Sequence, residues 1–332
     1  MSIQPSFQSS IKADLVRYIS LKQALGRQFN SPTYVLHRLD RFLCTLAKPS
    51  PDLTEETFKR WSQSMQSISA NTRLARMLIA RNFCLYRRRT VATCFVPDRS
   101  QFPQAHFRPQ PYILSDEQVA RILSCSNTMP EAVRSPLRRA STRLAVVLLY
   151  TTGLRRSELL RLSPADYDRS ARTLLIRNSK FHKSRLLPLP TDVSKEVESY
   201  LRLHQNYQDR GAAEMPLFCN PCLGGRAYSG TQLRVNLRIL LKAAGVRKPN
   251  GRFPRIHDFR FSFAANALVR WYRSGADVQA KLPLLAAYMG HISILTTYYY
   301  LRFIEPLAAF ASAAFAKNYG SLIHLSDRKE QQ

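Results

Sequence analysis

Apolar residues recur every three or four positions through the first quarter of the chain, the spacing that gives a helix one buried face. The pattern predicts a helix over about Ile11–Phe29. A second begins after Ser31, with Pro32 in its first turn, and runs to about Lys48; a serine cap followed by proline suits a helix start. A third starts at Thr54, where Glu55 and Glu56 complement the helix dipole. A fourth spans about Ala70–Arg89 and ends in Arg87-Arg88-Arg89.

Residues 95–113 break this pattern with four prolines and no periodicity, which suits an extended linker. Ser115 and Gln118 then have the spacing of a capping box for a helix to about Cys125. Arg139–Tyr150 reads as a buried helix and Arg155–Leu162 as a short one. Two β-rich stretches, Thr173–Arg177 and Arg185–Leu189, flank the basic loop Asn178–Ser184 and predict a hairpin. Further helices are expected at about Asp192–Gln208, Gly230–Ala244, Asp258–Arg273 and Val278–Met289. A small helix carries Tyr298-Tyr299-Tyr300, and an alanine-rich helix follows at about Glu305–Lys317. The fold class is mainly α with a small β-hairpin or sheet (α+β). It divides into a helical domain over residues 1–107 and a larger domain over 108–332.

Charge changes the picture next. The 332 residues carry 50 Lys and Arg against 22 Asp and Glu, a formal net charge of +28. The excess is net +11 over residues 1–110 and net +17 over the rest. Positive charge on both halves points to a polyanion that touches both. Nucleic acid is the usual such partner, bound with steep salt dependence. No apolar run approaches the roughly 18 residues of a membrane span. The start of the chain has no apolar signal region, so the expected location is cytoplasmic. Six scattered cysteines read as reduced thiols, and Cys219-Asn-Pro-Cys222 lacks the second pair of ligands that a zinc site requires.

Candidate chemistry lies in four separated segments. Thr151-Thr152-Gly153-Leu154-Arg155 is followed by Ser157-Glu158-Leu159. Lys180 stands in the hairpin loop. His257-Asp258-Phe259-Arg260 comes next, and Gly290-His291 precedes Tyr300 by nine residues. In this order and spacing the chain resembles the tyrosine recombinase (phage integrase) family, most specifically in TGLRxSEL, HxxR and GHxxxxTTxxY.

The resemblance implies a helical core-binding (SAM-like) domain, a linker and a tyrosine recombinase catalytic domain. It implies that Arg155 and Arg260 grip the scissile phosphate. His257 and His291 match the family's two histidines, Lys180 the lysine of the hairpin, and Tyr300 the nucleophile. Glu158, one turn after Arg155, matches the family's acidic supporting position. Tyr298 and Tyr299 adjoin the nucleophile; the family spacing selects Tyr300, and successive helical side chains turn by about 100° so that one of three faces a given point.

The chemistry suits these residue types. Phosphoryl transfer loads charge on the non-bridging oxygens, for which guanidiniums are the natural clamp. A phenol becomes a nucleophile when an imidazole takes its proton, and a lysine ammonium can protonate the departing 5′ oxygen. A carboxylate near Arg155 would orient that guanidinium. No metal, nucleotide or other cofactor is expected, since there is neither a ligand cluster nor a G-x-x-x-x-G-K-[ST] loop.

Expected DNA contacts are Arg87, Arg88, Arg89, Arg156, Lys183 and Arg185. Arg156 departs from the family pattern as a second arginine beside Arg155, and Phe261 stands where many relatives have histidine. The implied partner is double-stranded DNA with a specific recombination site, bound by a homotetramer, or with related recombinases, in the nucleoid. The start of the chain, about ten residues before its first helix, leads to the expectation of no extra arm-binding domain. A type IB topoisomerase-like enzyme and a catalytically inactive DNA-binding protein of the same fold are the rival readings.

Overall fold

A computed structural model describes residues 6–47, 49, 51–104, 110–130, 132–177, 184–207 and 215–291. The chain forms two compact units, Met1–Pro109 and Gln110–Gln332. Among the described residues, no helix is long and apolar enough to cross a membrane.

The first unit is built from α1 (Lys12–Ala24), α2 (Asn30–Leu46), α3 (Glu55–Gln63) and α4 (Ala70–Arg87). Leu15, Leu36, Leu39, Leu43, Phe58, Trp61, Met77 and Phe83 close its core. α1 ends five residues short of the expected Phe29. Gly26 adopts a left-handed φ of 76°, and the Arg27 amide donates back to the Lys22 carbonyl, 3.1 Å away, which closes the helix end. α2 starts from Phe29 rather than Ser31. The Phe29 ring packs edge-on against Tyr18 at 5.6 Å, and its carbonyl accepts from the Thr33 amide and hydroxyl, so tertiary packing overrides the serine cap. At α3 the expected Thr54 cap is present, with Thr54 and Thr57 exchanging side-chain and backbone hydrogen bonds.

The expected linker at 95–113 also begins too early. Phe95, Val96 and Phe102 pack on the helical core, and Phe102 stacks on Phe58 with ring centroids 5.9 Å apart. Aromatic burial therefore claims the first part of the proline-rich segment for the helical unit.

The second unit is organised around α6 (Arg138–Thr152), an almost wholly buried helix. Around it pack α5 (Asp116–Asn127), α8 (Thr191–Gln205), α9 (Gly230–Ala243) and α10 (Ile256–Arg273). α7 (Arg156–Leu159) follows α6 directly, and α11 (Val278–Met289) lies against α10. The Ser115–Gln118 capping box opens α5 as expected.

The predicted hairpin is β2 (Thr173–Ile176) against β3 (Arg185–Pro188), antiparallel, with Leu174 opposite Leu187 and Ile176 opposite Arg185. β1 (Tyr167–Asp168) extends it to a three-stranded sheet in the order β1-β2-β3. β4 (Cys219–Asn220) and β5 (Arg226–Ala227) pair separately. These extra strands are two residues long, too short for any alternation to show in sequence. The expected helices around Tyr300 and over Glu305–Lys317 lie outside the described residues.

Candidate active site

Two left-handed glycines shape the site. α6 ends at Gly153 with φ 62°, and α11 ends at Gly290 with φ 66°. An added Cβ at Gly153 would sit 2.5 Å from Cδ1 of Phe263, so this turn has neither the conformation nor the space for a side chain. Each turn delivers a functional residue one or two positions later: Arg155 after Gly153, and His291 after Gly290.

Arg155 caps α7. Its backbone amide donates to Glu158 Oε2 at 2.9 Å and its Nη1 to Oε1 at 2.6 Å, while Nη2 donates to the Gly290 carbonyl at 2.7 Å. One guanidinium thus joins the two turns. Glu158 is buried, and Arg185 also donates to it from Nη1 and Nη2 at 3.2 and 3.0 Å. Burial pushes this carboxyl upward, but the hydrogen bonds from Arg185 and Arg155 outweigh it and hold the pKa down at about 2.

Among the described residues, Arg260 is the largest side chain that is fully buried. It donates from Nη1 to the Gly153 carbonyl, and from Nη2 to the Met289 carbonyl at 2.7 Å and to His291 Nε2 at 2.8 Å. His291 therefore accepts at Nε2 and carries its ring proton on Nδ1. Burial, then the charges of Arg260 and Arg155, depress the His291 pKa to about 3, so the ring is neutral at physiological pH. His257 stands one turn before Arg260 on α10, exposed at the mouth of a cleft with its ring edge-on to Phe261 at 5.0 Å. The protein packed around it, and then the Arg260 charge, lower its pKa below that of an ordinary imidazole. Beneath it Asp258 is buried, accepting from the Arg255 amide and guanidinium and paired with Lys248 at 2.5 Å, which fixes the start of α10.

The structure thus brings Arg155, Glu158, His257, Arg260 and His291 together from three separated segments. Lys180, Lys183 and Tyr300 lie outside the described residues. The expected DNA contacts divide. Arg88, Arg89 and Arg156 are exposed. Arg87 is not: it is buried and paired with Asp14 at 2.7 Å and Asp52 at 2.7 Å, an internal tie of the helical unit. Arg185 is likewise turned inward, with its Nε donating to the Tyr288 carbonyl at 2.8 Å and its fork on Glu158.

Sequence reasoning missed a larger surface. A cleft of about 790 Å³ opens beside Arg155, Arg156 and His257. Arg234 and Arg238 from α9 and Arg247, Arg252 and Arg255 from the following loop also line it, and none of the described lining residues is acidic. Phe253 packs under two of these guanidiniums, Arg247 at 4.4 Å and Arg238 at 5.4 Å, which spaces them without neutralising them. The four-residue interval between Arg234 and Arg238 was visible in the sequence as one exposed helix face. The loop arginines carry no such signal. Elsewhere, Cys219 is buried 3.6 Å from His204 Nε2 and Cys222 is exposed; among the described residues no group of His, Cys, Asp or Glu is arranged to hold a metal ion.

Comparison with known proteins bears on this arrangement. The phage integrase family profile matches residues 113–304. A putative integrase/recombinase of Sinorhizobium fredii, y4rB, is 31% identical over 295 residues, covering 88% of this chain and 93% of that protein. The tyrosine recombinase XerC of Agrobacterium fabrum is 32% identical over 192 residues, 58% of this chain and 54% of XerC. Among solved structures, the XerH site-specific recombinase bound to a palindromic difH substrate, a post-cleavage complex, is similar in fold. Its TM-score is 0.61 at 17% identity, over 93% of this chain and 90% of XerH.

Proposed function

The chain belongs to the phage integrase family of tyrosine recombinases, and on that premise we propose that it exchanges DNA strands through a 3′-phosphotyrosyl bond to Tyr300 and a Holliday junction. In the first step the Tyr300 phenol loses its proton and its oxygen attacks the scissile phosphorus. A bond forms from that oxygen to the 3′ phosphate, and the bond to the 5′ oxygen breaks. Lys180 supplies the proton that makes the leaving oxygen a hydroxyl. The 5′ hydroxyl of the exchanged strand then attacks the phosphotyrosine, restoring a phosphodiester and releasing the phenol. The diester energy is conserved throughout.

Arg155 and Arg260 take the charge on the non-bridging oxygens. His291 is a neutral imidazole that Arg260 orients, and His257, exposed at the cleft, is the imidazole placed to take the phenol proton. Duplex DNA carrying a specific recombination site is the partner, and the arginine cleft holds its backbone. Full exchange is by a homotetramer, four copies across two sites. The observation that supports this reading most is the convergence of Arg155, His257, Arg260 and His291, with Arg155 and His257 lining a cleft whose described lining is basic and carries no carboxylate.

The test uses a nicked duplex bearing a site that the purified protein selects from a random-sequence pool. The wild type should form a covalent protein–DNA adduct, and Tyr300→Phe should abolish it while binding stays within a few-fold. An adduct that survives Tyr300→Phe but is lost in Tyr298→Phe or Tyr299→Phe would refute the register. Relaxation of supercoils without recombination between two sites would mark a type IB topoisomerase-like enzyme instead.

A further inference from the structure

Glu158 poses a problem for the role given to Arg155. A carboxylate 2.6 Å from a guanidinium cancels much of the positive charge that a phosphate would meet, the more so because the Glu158 side chain is only 1% exposed. The fold places a second guanidinium on the same carboxylate. Arg185, at the start of β3, spans both Glu158 oxygens, so that three side chains together carry one net positive charge. The exposed member is Arg155, with 25% of its side chain accessible, against 12% for Arg185. Arg185 also donates Nε to the Tyr288 carbonyl, two residues before the Gly290 carbonyl that receives Arg155.

We propose that Arg185 is a positioning residue that offsets the Glu158 charge and holds the turn before His291, so that Arg155 meets the scissile phosphate with its charge uncancelled. This rests on the reading of Arg155 as a phosphate ligand. Arg185 spends Nε, Nη1 and Nη2 on partners within the protein and is the less exposed of the two arginines on Glu158, which suits support of Arg155 better than a leading DNA contact.

The test measures adduct formation by Arg185→Gln, Glu158→Gln and the double variant on the nicked selected duplex. A parallel duplex carries a methylphosphonate at the scissile position, where a methyl replaces one charged oxygen. The wild type must first form the adduct; if it forms none, the parent reading fails rather than this one. Arg185→Gln should slow cleavage of the ordinary diester by roughly 10²-fold, comparable to removing one donor from a charge-stabilising site, with DNA affinity nearly unchanged. Adding Glu158→Gln should recover about tenfold or more of that loss, since it removes the charge left uncompensated. On the methylphosphonate the Arg185→Gln deficit should shrink to a few-fold. A merely structural role predicts equal deficits on both duplexes and no recovery in the double variant, and either result overturns the proposal. Should Arg185→Gln fail to fold, Arg185→Lys keeps the charge without the fork. It should discriminate between the two duplexes as the wild type does, and an altered discrimination would equally overturn it.

Discussion

Replacing Gly290 by alanine tests whether the turn after α11 sets the geometry of the arginines. An added Cβ would lie 2.7 Å from Nη1 of Arg185, 3.0 Å from its Cζ and 3.4 Å from Nη1 of Arg155. The left-handed φ of 66° adds backbone strain of about 1–2 kcal/mol for any residue with a Cβ. The contact at 2.7 Å forces Arg185 to move, and both guanidiniums share Glu158, so Arg155 moves with it. A displacement of about 1 Å at such a group costs on the order of 10²-fold in rate. Gly245 supplies the control: its φ is 65°, and nothing lies within 4 Å of an added Cβ. Gly245→Ala should therefore bear the same strain, lowering Tm by about 2–8 °C, while cleavage stays intact. Thermal unfolding of both variants, with adduct formation on saturating nicked duplex, separates the two effects. If Gly290→Ala loses no more cleavage than Gly245→Ala, the argument that this turn orients the clamp is wrong.

Other expectations follow from the same geometry. The Glu158 pKa of about 2 lies below the ordinary 4.5, so its contribution to stability is complete above about pH 4.5 and disappears as the pH falls toward 2. The difference is on the order of 3 kcal/mol, and urea titrations should show Glu158→Gln lacking that acid limb; an unchanged limb would contradict the assignment. Arg87→Met should destabilise the helical unit by about 1–3 kcal/mol by leaving Asp14 and Asp52 without their partner, whereas Arg88→Ala and Arg89→Ala should leave the urea midpoint unchanged. Arg234→Ala and Arg238→Ala should each reduce the slope of log affinity against log salt by about one, measured by fluorescence anisotropy on duplex DNA; an unchanged slope would remove the α9 face from the interface.

Much of the fold was legible because it rests on helical periodicity and local caps. The Thr54 and Ser115 caps and the hairpin of β2 and β3 follow from residues a few positions apart. The start of α2 was misread because Tyr18, eleven positions before Phe29, decides it by packing, and local capping rules contain no such contact. The site residues could be listed from motif spacing, but their relations could not. No sequence pattern links Arg185 to Glu158, or Arg260 to the Gly153 carbonyl 107 positions away. Arg87 and Arg185 turn inward for a reason the sequence does not display. An arginine's identity reports its charge, whereas the acidic and carbonyl partners that turn it inward come from distant segments.

Four of the acceptors that orient the arginines are backbone atoms. Gly153, Met289, Tyr288 and Gly290 each contribute a carbonyl, and no exchange of side chains deletes a carbonyl. That part of the orientation is inherited through two helix-terminating dihedral angles, beside the part that Glu158 and His291 supply. Substitution libraries at Tyr288 and Met289 should therefore tolerate apolar replacements of similar volume, because the acceptors survive each change. Libraries at positions 153 and 290 should collapse to glycine. Relatives can thus diverge widely around this centre while its hydrogen-bond frame is passed on intact, and divergence of the side chains here is a poor guide to divergence of the chemistry.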